Sequence, residues 1–94
     1  MYGTVMIAKV KGSVDEMRAR AERWAEERGE TVGYVDQNVL VSGDGRIVVA
    51  IRFDSKAQDE ALADDPAQDK WWRAEMAPLL DGDPEWIDGE WQEV

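Results

Sequence analysis

Ninety-four residues leave room for one hydrophobic core, and an apolar share of 44% is too high for a disordered acidic chain. Cysteine and histidine are both absent, which excludes disulfides, thiolate nucleophiles, a Ser–His–Asp triad, His-ligated zinc and a proximal haem ligand. With 21 acidic against 11 basic residues the net charge is −10, so the surface repels nucleic-acid phosphates and anionic lipid.

The chain opens on Tyr2–Val10, rich in β-branched residues and apolar on both parities, which predicts a strand covered on both faces. Gly12 ends it. Ser13 and Glu16 then stand at capping-box spacing ahead of a helix whose stripe is Val14, Met17, Ala21, Trp24 and Ala25. Trp24 is expected in the core, and Gly29 suits the C-terminal cap. Two strands follow, from about Thr31 to Ser42 and from Arg46 to Phe53, joined by Ser42-Gly43-Asp44-Gly45. Read as a two-residue Asp44-Gly45 turn, the hairpin sets Val39 and Val41 opposite Ala50 and Val48, and Gln37 opposite Arg52. A bulge near Gly33 or Gly43 would reverse that register.

Ser55 caps a short helix over Lys56–Ala63, and Asp65-Pro66 starts another that runs to about Leu80 with Trp72, Met76, Leu79 and Leu80 on one stripe. Glu85–Val94 returns to strand, with Ile87 and Trp91 on one side and Trp86 with Val94 on the other. The longest apolar runs, such as Ile47–Ile51, are strand-sized and no signal-peptide pattern is read, so the expected compartment is the cytoplasm, with no membrane or nucleic-acid partner.

The order βαββαβ makes residues 1–94 a single α+β domain, a ferredoxin-like sandwich of an antiparallel sheet with both helical elements on one face. The other face keeps apolar side chains, read as Val39, Val41, Val48 and Ala50. A second copy packed across a two-fold axis covers them economically, so a homodimer is expected.

The hairpin Val39–Arg46, the strand end Arg52-Phe53-Asp54-Ser55-Lys56 and the helix Trp71-Trp72-Arg73-Ala74-Glu75-Met76-Ala77-Pro78-Leu79-Leu80 resemble the dimeric α+β barrel superfamily, in its antibiotic biosynthesis monooxygenase-like branch. The resemblance spans essentially the whole chain in element order and length, and implies a dimeric α/β barrel that works without a cofactor. The haem-degrading branch needs an Asn on the first strand, a Trp on the short helix and a His on the next. Here the first strand offers Met6, Ala8 and Lys9, Leu62 stands near the Trp position and Trp72 near the His position, so haem degradation is not expected. The polyketide-oxidising branch holds a reduced aromatic among Asn, Tyr, Trp and Arg while O₂ reacts with its carbanion. Tyr34, Asn38, Arg52 and Trp72 match these types, although Asn38 lies on a strand and the helices carry no Asn.

The candidate pocket is therefore Tyr34, Asn38, Arg52, Leu62, Trp71, Trp72 and Met76, around a small aromatic ligand, with no catalytic residue singled out. Each has a plainer role open to it. Trp71 and Trp72 point about 100° apart on a helix, so Trp72 belongs in the core or a cavity wall and Trp71 at a pocket mouth or dimer edge. Arg52 either fixes an enolate or pairs with a carboxylate such as Asp36 or Glu90. Without histidine a general base must be a carboxylate, Asp36 being one choice, or the substrate must ionise by itself. Trp86 and Trp91 read as dimer contacts or core. The acidic run Asp81–Glu90 lacks EF-hand spacing and no metal site is expected. Three functions remain open on this reading: a cofactor-independent monooxygenase, an isomerase or cyclase using the same pocket, and a non-catalytic homodimeric binding or interaction module.

Overall fold

Local signals set the element ends. Ser13 Oγ accepts the Glu16 N–H and opens α1 (Val14–Arg28). Glu16 does not close the capping box and turns its carboxylate to Arg20 at 2.6 Å. Ser55 and Asp65 cap α2 (Lys56–Ala63) and α3 (Pro66–Trp71). The expected helix to Leu80 does not stay α. It widens to a π turn over Trp72–Met76, in which the Ala77 N–H donates to Trp72 O, and ends in a 3₁₀ turn over Ala77–Leu79. Pro78 has no N–H to give Ala74 O in a regular ladder, and where the helix tightens to 3₁₀ Glu75 O accepts a 2.7 Å hydrogen bond from Arg20 Nη1 of α1.

The computed structural model describes all residues, Met1–Val94, and its four strands are β1 (Tyr2–Lys9), β2 (Tyr34–Val41), β3 (Arg46–Phe53) and β4 (Glu85–Glu90). They pair antiparallel in the order β2-β3-β1-β4, the ferredoxin-like arrangement that the element order implied. β4 is shorter than expected, ending at Glu90. Trp91 still follows the strand's parity, and its Nε1 donates to Ile51 O across Gly3, where a Cβ would stand 2.0 Å from that nitrogen.

The β2–β3 register differs from the two-residue expectation. Ser42 pairs with Arg46 (N–H to O, 2.9 Å), so the loop is Gly43-Asp44-Gly45, and the Gly45 N–H bonds back to Ser42 O. Gly45 has φ +86°, the left-handed residue that ends a three-residue hairpin loop. One extra loop residue moves β2 by one position and reverses both its faces. Val39 and Val41 lie opposite Val49 and Ile47, on the helix side, whereas Leu40 and Asn38 lie opposite Val48 and Ala50 on the other side. A bulge at Val35 reverses parity again, so Tyr34 pairs with Phe53.

The core lies between the helices and one sheet face: Met6 and Ala8 of β1, Ile47 of β3, Met17 of α1, and Met76, Leu79 and Leu80. Phe53, on the same face, is also buried. Trp24, expected in the core, is only half-buried. It stacks on Trp71 at 5.6 Å and 8°, because its indole N–H is drawn outward to Gln68 Oε1 at 2.7 Å. The opposite sheet face carries Val5, Ile7, Leu40, Val48, Ala50 and Ile87 with no helix over it; Leu40 is 65% and Ile87 52% exposed.

Because Gly45 holds a left-handed conformation, Gly45→Ala should cost about 1 kcal/mol and lower the melting temperature by about 4–8 °C, while Gly45→Asn should cost less, since Asn tolerates that region. Thermal unfolding of the two variants checks this.

Candidate functional site

The sheet separates the seven candidate side chains. On the helix side the π turn brings Trp72 edge-to-face against Trp86 of β4, with ring centroids 5.2 Å apart and planes at 62°. Trp86 stands beside Met6 of β1, and Met76, one turn beyond Trp72, is buried in the core. Leu62 comes from the last turn of α2 and is half-buried. Tyr34 packs edge-on against Phe53 at 6.2 Å, still 44% exposed. Burial first, then the negative charge of Asp36, pushes its phenol pKa upward, so it remains a hydrogen-bond donor. Trp71 is turned away from Trp72 against Trp24, where the two indoles wall a shallow hollow of about 290 Å³ with Glu27, Lys70 and Glu75.

Asn38 and Arg52 stand on the helix-free face. Arg52 faces Asp36 directly across the β2–β3 pair and grips it with both ends of the guanidinium, Nε donating to Oδ1 at 2.7 Å and Nη2 to Oδ2. The hydrogen bonds from Arg52 hold the Asp36 carboxyl below its ordinary range. A carboxylate committed in this way is a weaker proton acceptor than a free one. Of the two roles open to Arg52, the structure fills the ion pair with Asp36.

Sequence reading missed one polar group. Thr4, inside an apolar strand, places Oγ1 2.9 and 3.1 Å from the carboxyl oxygens of Asp59 in α2 and 2.5 Å from Asp88 Oδ1 in β4. Asp59 is 7% exposed, and burial, followed by the charges of Asp88 and Glu60, raises its pKa against the opposing pull of the Thr4 hydroxyl. The sequence signal was present, a Thr at a buried parity and an Asp at the centre of a capped helix. Density of acids along 59–69 hid it among solvated carboxylates. Trp86 was read as a dimer contact or core residue, and its pairing with Trp72, fourteen positions away, was not foreseen.

No helix is long and apolar enough to cross a membrane. Neither a protein-family profile nor a curated protein matches the chain. Solved structures do match it. SnoaB, a cofactor-independent oxygenase from Streptomyces nogalater, superposes with a TM-score of 0.79 at 15% identity, over 99% of this chain and 94% of that one. An antibiotic biosynthesis monooxygenase superposes at 0.73 and 9% identity, over 99% of this chain and all of the other (100%). The fold is that of the antibiotic biosynthesis monooxygenase-like domains. Rv0793 from Mycobacterium tuberculosis shares it at 0.65 and 17% identity, over 98% and 97% of the two chains. The backbone likeness runs from end to end of the chain.

Arg52→Met should return the Asp36 carboxyl to its ordinary range, seen as an upward move of its midpoint in a carboxyl ¹³C NMR titration. The sign for stability follows. A depressed folded pKa supplies stability present above the unfolded value and lost as pH falls through the folded one. The variant should therefore lose less stability than the parent on acidification.

Proposed function

We propose that this domain is a cofactor-independent monooxygenase acting on a small reduced aromatic, a quinol or polyketide-like compound, bound on the helix side of the sheet. The supporting observation is the Trp72–Trp86 pair: two indoles set edge-to-face, with Leu62 and Tyr34 on the same side of the sheet, on a fold shared with a cofactor-independent oxygenase. Aromatic walls of this kind recognise flat apolar rings by area and by edge-to-face geometry. In such a reaction an activated CH₂ of the substrate loses a proton, and its carbanion reduces O₂ to a carbon-bound peroxide. Loss of the second C–H proton with O–O cleavage then leaves one oxygen on carbon as a carbonyl and releases the other as water. Tyr34 would donate a hydrogen bond to the developing oxyanion. With Asp36 tied to Arg52, the substrate must be acidic enough to ionise readily, which suits quinols and anthrone-like rings.

A second reading has its own support. Trp72 packs directly on Trp86 and Met76 is 7% exposed, so the space that a substrate would need is occupied by side chains. A filled site fits a binding or interaction module.

On either reading the protein is a homodimer, with the helix-free face against its partner. That face offers six apolar side chains, and the Arg52–Asp36 pair with Asn38 gives it one polar patch to fix the register of two copies. Leu40→Asp, introduced twice across a two-fold interface, should convert dimer to monomer in sedimentation without loss of helical content. A parent protein that sediments as a monomer contradicts the proposal.

Anaerobic titration with an anthrone and a hydroquinone, followed by tryptophan fluorescence, separates the two functional readings. Saturable quenching weakened at least tenfold by Trp72→Ala, with turnover once oxygen is admitted, is the result expected of the monooxygenase. Absence of quenching across both probes favours the filled module.

A further inference from the structure

The Thr4–Asp59–Asp88 cluster has a proton count that its geometry decides. A threonine hydroxyl carries one hydrogen and two acceptor lone pairs, and an ionised carboxylate only accepts. Thr4 Oγ1 nevertheless lies within hydrogen-bond distance of two carboxyl groups. Its single proton serves one of them. The 2.5 Å contact to Asp88 Oδ1 is the length of a hydroxyl donating to a charged carboxylate, so the proton points there. The contact to Asp59 at 2.9 Å then needs a proton of its own, supplied by Asp59, giving the chain Asp59 O–H to Thr4 O–H to Asp88 carboxylate.

The surroundings favour that extra proton. At this end of the helix-side face β1 presents Tyr2 and Thr4, paired with Phe53 and Ile51 of β3, and none of them is a cation. β4 presents Asp88 and Glu90 on this face, both acidic. On α2 the neighbour Glu60 is acidic, and Lys56 is drawn to Glu60 at 3.7 Å. α3, packed on the far end of α2, has Asp69, paired with Arg73 of the π turn, and the exposed Lys70. No cation neutralises the pair, and buried Asp59, bridged by one hydroxyl to the like charge of the more exposed Asp88, does not ionise cheaply.

We infer that Thr4, Asp59 and Asp88 form a proton-operated clasp between α2 and strands β1 and β4, closed while one proton is held on the carboxyl pair and loosened when it leaves. The clasp joins the two elements that carry Leu62 and Trp86, so its state reaches the walls of the aromatic site, although it does not depend on what that site binds. The sign is set by linkage. A carboxyl that holds its proton more tightly folded than unfolded adds stability that is complete below the unfolded pKa and is lost as pH rises through the folded one.

The test compares thermal unfolding of the parent with Asp59→Asn between about pH 4.5 and 8.5. The asparagine amide donates to Thr4 at every pH, mimicking the closed clasp. The melting temperature of the variant should therefore gain on that of the parent as pH rises, by about 4 °C or more across the range. Parallel curves overturn the clasp. A carboxyl ¹³C titration of the parent gives a reading that needs no folded Asp59 variant. Asp59 should titrate above the ordinary carboxylate range, and Asp88→Asn should bring its midpoint down, since the like charge is gone and the Thr4 proton is free to turn to Asp59. A midpoint in the ordinary range, or one unmoved by Asp88→Asn, overturns the proposal.

Discussion

A loop of three residues governs the two faces of this protein. Side chains alternate along a strand, so one residue more or less in the β2–β3 connection exchanges every inward side chain of β2 for an outward one. Gly45 closes the loop in a left-handed conformation that an ordinary residue reaches only with strain, and this commits Val39 and Val41 to the helix side and Leu40, Asn38 and Asp36 to the other. The Arg52–Asp36 pair exists only because of that commitment. The bulge at Val35 undoes the parity for one residue and returns Tyr34 to the helix side, so one strand serves both faces in turn.

With histidine absent, carboxylates are the main side chains available for proton chemistry, and the structure gives them unlike environments. Asp36 is half-exposed and gripped by a guanidinium, so its charge is stabilised and its basicity spent. Asp59 has no cation and little water, and its neutral form is favoured. A surface with a net charge of −10 sharpens the contrast, because every buried carboxylate also feels a surplus of like charge.

Pro78 has a similar reach. It cannot donate a backbone hydrogen bond, the helix ahead of it widens into a π turn, and Trp72 emerges at the angle that meets Trp86. Arg20 of α1 holds the backbone carbonyl of Glu75 as well as its side chain, so the first helix braces the π turn. The consequence is a site that is aromatic and crowded together.

Element order, caps and apolar periodicity are properties of neighbours in the chain, and they were legible without coordinates: the ferredoxin-like fold, the capping roles of Ser13, Ser55 and Asp65, the start of α3 at Pro66, and the apolar face of β3. Which tryptophan meets which was not legible. Trp24 sits on a clear apolar stripe yet packs outward on Trp71, and Trp72 finds Trp86, because a pairing between distant elements depends on crossing angles and strand order. The same holds for the candidate pocket. Seven residue types could be named from the sequence, but the sheet that runs between them places Asn38 and Arg52 on one side and Trp72, Met76 and Tyr34 on the other, and its register rests on whether a loop closes with two residues or three. Local periodicity determined what each strand could present, and only the closed hairpin and the packed sheet decided to whom.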